Sequence, residues 1–181
     1  MKSLMDEAKE YAMRGFYVAA IKPKGKLILK GNRYKEPTKD IKQIEKWWGL
    51  FPDANIGLPT GSRYNALIII DIDVNESVNG IETIKNIEKT HGIYLQETSV
   101  ARSGSGGLHL YYMAENGICC KSRKGVLPGI DIRSEFAHVV VPPSIHKNGE
   151  KYEWIIGGID TMVIADHAVY KLAELGEEIS K

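Results

Sequence analysis

The chain has 181 residues, which suits one domain, or one domain with a small lobe, and its 43% hydrophobic content can supply a real core. Its formal net charge of +1 lacks the strongly basic balance that announces many nucleic-acid binders. No apolar run approaches the ~20 residues that span a bilayer. The two cysteines, Cys119 and Cys120, are adjacent and poorly placed to pair, and no CxxC or HxxxH spacing exists, so neither a disulfide framework nor a structural zinc site is expected.

In chain order, Ser3 caps a first helix whose apolar residues are Leu4, Met5, Ala8, Tyr11 and Ala12, with Gly15 at its end. This amphipathic, acid-containing start is no signal peptide, and the chain reads as cytoplasmic and reduced, with no membrane partner. Residues 16–21 read as a strand, and 22–39 as a basic connection. Asp40 opens a second helix with Ile41, Ile44, Trp47 and Trp48 on one face, and Gln43 stands where a capping box needs it. Residues 51–61 (FPDANIGLPTG) are turn-rich. Residues 66–74 (ALIIIDIDV) form the strongest strand, an apolar run of the kind buried on both faces. A third helix covers about 81–89 and is closed by Gly92. Strands follow at 98–102, 108–113, 129–133, 138–141 and 152–155, then a last helix at about 166–175. The pattern predicts an α+β fold with a central, mostly antiparallel sheet.

Charge is uneven along this chain. Residues 22–46 hold nine basic and three acidic side chains, a local balance of +6. Such a stretch is either a solvated lysine-rich surface or one side of a polyanion contact.

Three segments carry chemistry. Asp71 and Asp73 lie two apart on a strand, so both carboxylates face one way, ~6–7 Å apart. Paired like charges beside a core run are costly unless neutralised, and a hard divalent cation does this well. The alternative is a strand that ends at Ile70 with both acids solvated. The second segment is RSGSGGLHLYY, residues 102–112. Its turn, with Ser105, Gly106 and Gly107, can aim backbone amides at an anion, and Arg102 and His109 flank it. It lacks the Gly-Lys-Ser/Thr ending of a P-loop and leads into a strand, with His109 and Tyr111 on one face. A tight hairpin with a packed histidine is the competing reading. The third segment is GIDIR, where Ile130 and Ile132 face the core and Asp131 and Arg133 share the other face. Asp131 could complete a metal site with Asp71 and Asp73, or form an ordinary pair with Arg133.

Taken in order, DID, SGGLH and GID resemble the three motifs of the bifunctional DNA primase/polymerase N-terminal domain, in the archaeo-eukaryotic primase superfamily. The flanking segments WWGLFPDANIG (residues 47–57), VVVPPSIH (139–146) and YEW (152–154) are similar to the family's as well. The resemblance spans residues 10–156. It implies a minimal primase catalytic core: an RRM-like sheet (66–156) with helices on its faces, a small N-terminal α/β unit (1–65) and a C-terminal helix (157–181). It implies that Asp71, Asp73 and Asp131 bind two Mg²⁺ or Mn²⁺ ions, and that Ser105 and His109 contact the triphosphate of an incoming nucleotide. Arg133 stands where the family often has a basic residue. One departure is the segment Ser134-Glu135-Phe136-Ala137-His138, where relatives often have a glycine-rich turn. His138 and His146 could reach the site, but each is expected to be a loop or sheet-face histidine without a catalytic role.

The expected function is template-directed nucleotide transfer to a 3′-hydroxyl by two-metal catalysis, in plasmid, phage or other mobile-element replication. Expected partners are single-stranded DNA template and primer, NTP or dNTP, and a replicative helicase in cis or in trans. Template grip would fall to Lys22, Lys24, Lys26, Lys30, Arg33 and Lys35, and to Lys121, Arg123 and Lys124, giving weak, salt-sensitive binding. Two competing classes are a catalytically silent nucleic-acid-binding adaptor and a metal-dependent phosphodiesterase. The chain is either a stand-alone protein or an excised catalytic domain.

Overall fold

The apolar run at residues 66–74 lies at the centre of the molecule and organises the rest of it. The computed structural model describes residues 2–29 and 36–178. Its helices are α1 (Leu4–Met13), α2 (Ile41–Leu50), α3 (Gly80–His91) and α4 (His167–Glu178). Its strands are β1 (Ala19–Ile21), β2 (Asn55–Pro59), β3 (Leu67–Ile72), β4 (Val74–Asn75), β5 (Val78–Asn79) and β6 (Ser99–Arg102). They continue with β7 (Leu108–Met113), β8 (Arg123–Leu127), β9 (Ile130–Arg133), β10 (His138–Val140), β11 (Glu153–Ile156) and β12 (Val163–Ile164). The main sheet runs in the order β11-β6-β7-β3-β9-β8, antiparallel at every step, and the short β12 lies parallel to the end of β7. This is the expected α+β class with a mostly antiparallel sheet.

Strand β3 is buried on both faces, and alternation divides its side chains between two cores. Ile68, Ile70 and Ile72 pack with Ile130, Ile132 and Tyr112, with Ile87 of α3, and with Val169 and Leu172 of α4. Leu67 and Ile69 point the other way, into a core with Trp47, Trp48, Ile56, Leu58 and Tyr111. Each fully buried isoleucine stabilises the fold by ~1.5–3 kcal/mol.

A second, smaller sheet, ordered β1-β2-β10, covers part of that other face. Its third strand comes from late in the chain: after β9 the backbone leaves the main sheet and pairs Val139 with Leu58 of β2. The N-terminal layer is therefore closed by a strand from the C-terminal half of the chain. Strand β2 corrects the turn-rich reading of 51–61, because all five of its residues are buried and it is central to its sheet. Strand β1 is shorter than the expected 16–21, because Val18 pairs with Thr38 and the Tyr17 N–H donates to Asn65.

The helix caps match their sequence signals with one exception. Ser3 and Asp6 form a full capping box on α1, and Gly92 closes α3 in the left-handed conformation. At α2, Asp40 accepts from the Lys42 N–H, but Gln43 does not complete a box. The Thr38 hydroxyl takes the Asp40 N–H at 3.0 Å, which removes the donor Gln43 would have satisfied. Among the described residues, no helix is long and apolar enough to cross a membrane.

Candidate active site

Three polar residues stand side by side on neighbouring strands. Asp71 is directly opposite His109 of β7 on one side and Asp131 of β9 on the other. All three are on the face turned away from Ile70, Ile72, Ile130 and Ile132, as the sequence alternation requires. Asp71 and Asp131 are like charges in directly opposed positions, which is unfavourable by itself. Arg133 resolves it. Its Nε and Nη2 each lie 2.8 Å from Asp71 Oδ2, and Nη2 is 3.0 Å from Asp131 Oδ2. The other Asp131 oxygen accepts from the Gly125 N–H at 2.7 Å. His109 Nε2 is 3.4 Å from Asp71 Oδ1, while its buried Nδ1 has no partner among the described residues.

Asp73 follows the end of β3 and is held by its backbone. Its N–H donates to the Gly129 carbonyl at 2.8 Å, and its carbonyl accepts from Gly80 N–H at 2.9 Å. A side chain at Gly129 (φ +74) would run into Gly80 and the Asp73 carbonyl, so the close approach of these turns needs glycine. The half-buried Asp73 carboxylate has no hydrogen-bond partner among the described residues.

These surroundings pull the two acids of DID in opposite directions. Burial opposes ionisation of Asp71, but His109 and Arg133 outweigh it and hold the carboxyl well below the usual carboxylate range. Asp73 is raised above its ordinary value, first by burial and then by the charges of Asp71 and Asp131. An unpartnered carboxylate in the field of two others is a site that favours an added cation. Three carboxylates are hard donors, so by chemistry they suit Mg²⁺ or Mn²⁺ better than a soft metal. Among the described residues, however, no three His, Cys, Asp or Glu side chains are gathered closely enough to hold a metal ion. The Arg133 guanidinium lies between two of the carboxylates instead.

Asp71, His109 and Arg133 floor a cavity of about 440 Å³ between the two sheets, walled by Lys26, Lys124, Phe136, His138 and Tyr152. Tyr152 is buried beside His109, with ring centroids 5.9 Å apart. Its hydroxyl is pushed up to about 12 by burial, with the Asp71 charge adding to the shift. His138, expected to be a loop or sheet-face histidine, does line the cavity, and its Nε2 is bound to the Lys26 carbonyl at 2.7 Å. Lys26 is among the expected template-binding cations, but its meeting with His138 and Tyr152 is not recognisable from sequence, because distant segments bring the three together.

The SGSGG turn is placed less centrally than its sequence suggests. Gly107 is buried, and a Cβ there would be 2.6 Å from the Ile72 carbonyl oxygen, so the turn's base abuts Asp73. Ser105 and Gly106 are exposed, and the Ser105 hydroxyl pairs with Ser103 at 2.9 Å. The turn leans on the loop at 146–150, where Asn148 donates to the Gly104 carbonyl at 2.7 Å. Arg102 pairs with Leu108 and so faces the opposite side of the sheet from His109, along a separate groove with Glu150 and Glu153. Of the expected template-binding cations, Lys26 and Lys124 reach the cavity. Lys22, Lys24 and Lys121 are exposed nearby in sequence, and Arg123 is half-buried in β8. Lys30, Arg33 and Lys35 lie outside the described residues.

A family model described as bifunctional DNA primase/polymerase, N-terminal, matches residues 8–168. No curated protein matches the chain.

Proposed function

The chain belongs to the bifunctional DNA primase/polymerase N-terminal family, and from that premise we propose that the cavity between its two sheets transfers nucleotides to a 3′-hydroxyl on a single-stranded DNA template. Membership implies primase/polymerase activity of the nucleotidyltransferase type in DNA replication. The observation that supports this cavity as the site is the row His109, Asp71 and Asp131, with Arg133 bridging two of its members on the cavity floor.

Each residue has a task in this reading. Asp71, Asp73 and Asp131 would hold Mg²⁺ or Mn²⁺. Two such ions, when bound, supply a lowered pKa at the attacking hydroxyl and charge stabilisation at the leaving pyrophosphate. Arg133 is the internal countercharge of the resting site, and it turns from the carboxylates toward the triphosphate when the nucleotide arrives. His109 keeps Asp71 ionised through Nε2. Lys26 and Lys124 draw the triphosphate in, and positioning with charge stabilisation is most of the catalysis in phosphoryl transfer. The Ser105–Gly107 turn, which abuts Asp73, frames the far side of the nucleotide. Substrates are NTP or dNTP with template and primer, and a replicative helicase in cis or in trans supplies the strand in plasmid, phage or other mobile-element replication.

A specific feature favours a second reading, a silent nucleic-acid-binding adaptor: Arg133 already neutralises two of the carboxylates without any metal. The test incubates the protein with single-stranded DNA, Mg²⁺ or Mn²⁺ and labelled nucleotides, beside an Asp71→Ala, Asp73→Ala double variant. New primers or extended oligonucleotides from the wild type alone are expected. Binding of DNA without any product selects the adaptor, and shortened oligonucleotides select a phosphodiesterase.

A further inference from the structure

Phe136 is an outlier twice over. It is 93% exposed, and its backbone is left-handed at φ +57, a conformation that side chains other than those of Gly, Asn and Asp rarely adopt. An apolar ring held in a strained turn on the surface does nothing for the core, and such strain clusters where function needs it. Its position shows what it could serve. Residues 136–138 form the shared wall between the reaction cavity and a second cavity of about 230 Å³, whose lining includes Arg63, Tyr64, Thr60 and Ile28.

Beyond Phe136, aromatic rings and cations continue in contact. The Arg63 guanidinium lies 5.2 Å from the Tyr64 ring centroid. The Tyr64 ring meets Tyr17 edge-on at 5.5 Å, and Lys39 Nζ is 4.3 Å over the Tyr17 ring. Rings that accept bases, each beside a cation that accepts a phosphate, are the recurring recipe for holding a single strand regardless of sequence.

We propose that Phe136, Tyr64 with Arg63, and Tyr17 with Lys39 form a stacking track that carries the single-stranded template out of the reaction cavity. The track rests on the primase/polymerase reading for the name of its strand, but its binding chemistry does not require catalysis. Two acids oppose it. Glu36 accepts from the Tyr64 hydroxyl at 2.9 Å and pairs with Arg63 at 3.8 Å, and Glu135 accepts from the Ser62 N–H at 3.1 Å. Glu36 thus orients the ring and competes with a phosphate for Arg63.

The experiment measures fluorescence anisotropy of a labelled oligothymidylate at low salt, with binding of a labelled dNTP in parallel. Phe136→Ala and Tyr64→Ala each weaken DNA binding by roughly tenfold or more, Phe136→Trp retains it, and Glu36→Gln tightens it. Nucleotide binding stays unchanged in Tyr64→Ala and Glu36→Gln, whose residues lie outside the reaction cavity, and Phe136→Ala loses more affinity for DNA than for the nucleotide. Phe136→Gly loses DNA affinity yet melts no lower than the wild type, because glycine adopts the turn without strain. The proposal is overturned if Phe136→Ala binds DNA as tightly as the wild type. It is equally overturned if the loss falls on the nucleotide alone, which would make Phe136 a platform for the incoming base. A wild type that binds DNA through these residues but makes no product refutes the polymerase reading and leaves the track standing. A wild type that polymerises while Phe136→Ala, Phe136→Gly and Tyr64→Ala bind DNA normally overturns the track alone.

Discussion

The two faces of the central sheet use the same strands for opposite purposes. On one face Ile68, Ile70, Ile72, Ile130 and Ile132 pack beneath α3 and α4. On the other, one residue along each time, stand Asp71, His109, Asp131 and Arg133. The backbone ladders are common to both, so the difference lies wholly in the side chains. The apolar face stabilises through burial. The polar face carries like charges that are opposed and, among the described residues, a histidine nitrogen and an Asp73 carboxylate without hydrogen-bond partners. Burial supplies stability on one side and, around Leu67, Ile69 and Tyr111, on part of the other, while the Asp71 end of that second face stores electrostatic tension, which is the arrangement expected of a preorganised site.

Breaking the apolar side should have the largest effect on the fold. Ile68→Ala removes a fully buried side chain from the central strand. It should cost about 2–5 kcal/mol in urea-monitored unfolding, with turnover per folded molecule preserved. Asp73→Asn should do the reverse. Under the proposed mechanism, nucleotidyl transfer falls by about 10²–10³-fold, in the range seen when one stabilising group at developing charge is lost. The melting temperature stays level or rises, since an unfavourably placed charge has gone. An Asp73→Asn protein that keeps full activity would remove Asp73 from the site.

Arg133 joins the two comparisons, since it offsets the tension of the polar face. Arg133→Leu leaves Asp71 buried opposite Asp131 with only His109 beside it. Full loss of a partner from a buried pair costs ~3–5 kcal/mol, and the partial exposure of Arg133 reduces this to about 2 kcal/mol. If the carboxylates hold a divalent cation, Mn²⁺ should raise the melting temperature of this variant more than that of the wild type. Equal shifts would argue that Arg133 and the ion do not compete for the same oxygens.

How much of this is legible in the sequence follows from whether the signal is local. The ALIIIDIDV run and the alternation in LHLYY and GIDIR are local, and side-chain parity along each strand is enough to place Asp71, His109, Asp131 and Arg133 on one face. Ser3 and Gly92 announce their caps for the same reason. Strand β2 is hidden because Gly57 and Pro59 read as turn residues, while its actual support is long-range pairing with β1 and β10. Strand β8 is hidden by Arg123, Lys124 and Gly125, since two of its five residues are exposed. The cavity wall depends on Lys26 meeting His138 across 112 positions of chain, which no periodicity encodes. Arg102 misleads in the other direction: nearness in sequence to the glycine turn puts it with His109, whereas strand parity turns it away.

The smallest expected effect is also the most specific to the polar face, because it separates Asp73 from Asp71 by pH alone. Asp73 has a folded pKa above its unfolded value. Its ionisation therefore disfavours folding once pH exceeds the folded value, and the disadvantage disappears as pH falls toward the unfolded value. The stability advantage of Asp73→Asn over the wild type should then be present at neutral pH and shrink on acidification through the raised pKa of Asp73. Asp71 has the opposite sign. Its folded pKa is depressed by His109 and Arg133, so its contribution is present above the unfolded carboxylate value and lost as pH falls through the folded one. An Asp71→Asn protein should therefore be less stable than the wild type at neutral pH, with the gap closing only in strong acid. Denaturant titrations of both variants across pH measure the two signs directly. Equal signs for the two acids would mean that Arg133 does not discriminate between them as its contacts with Asp71 imply.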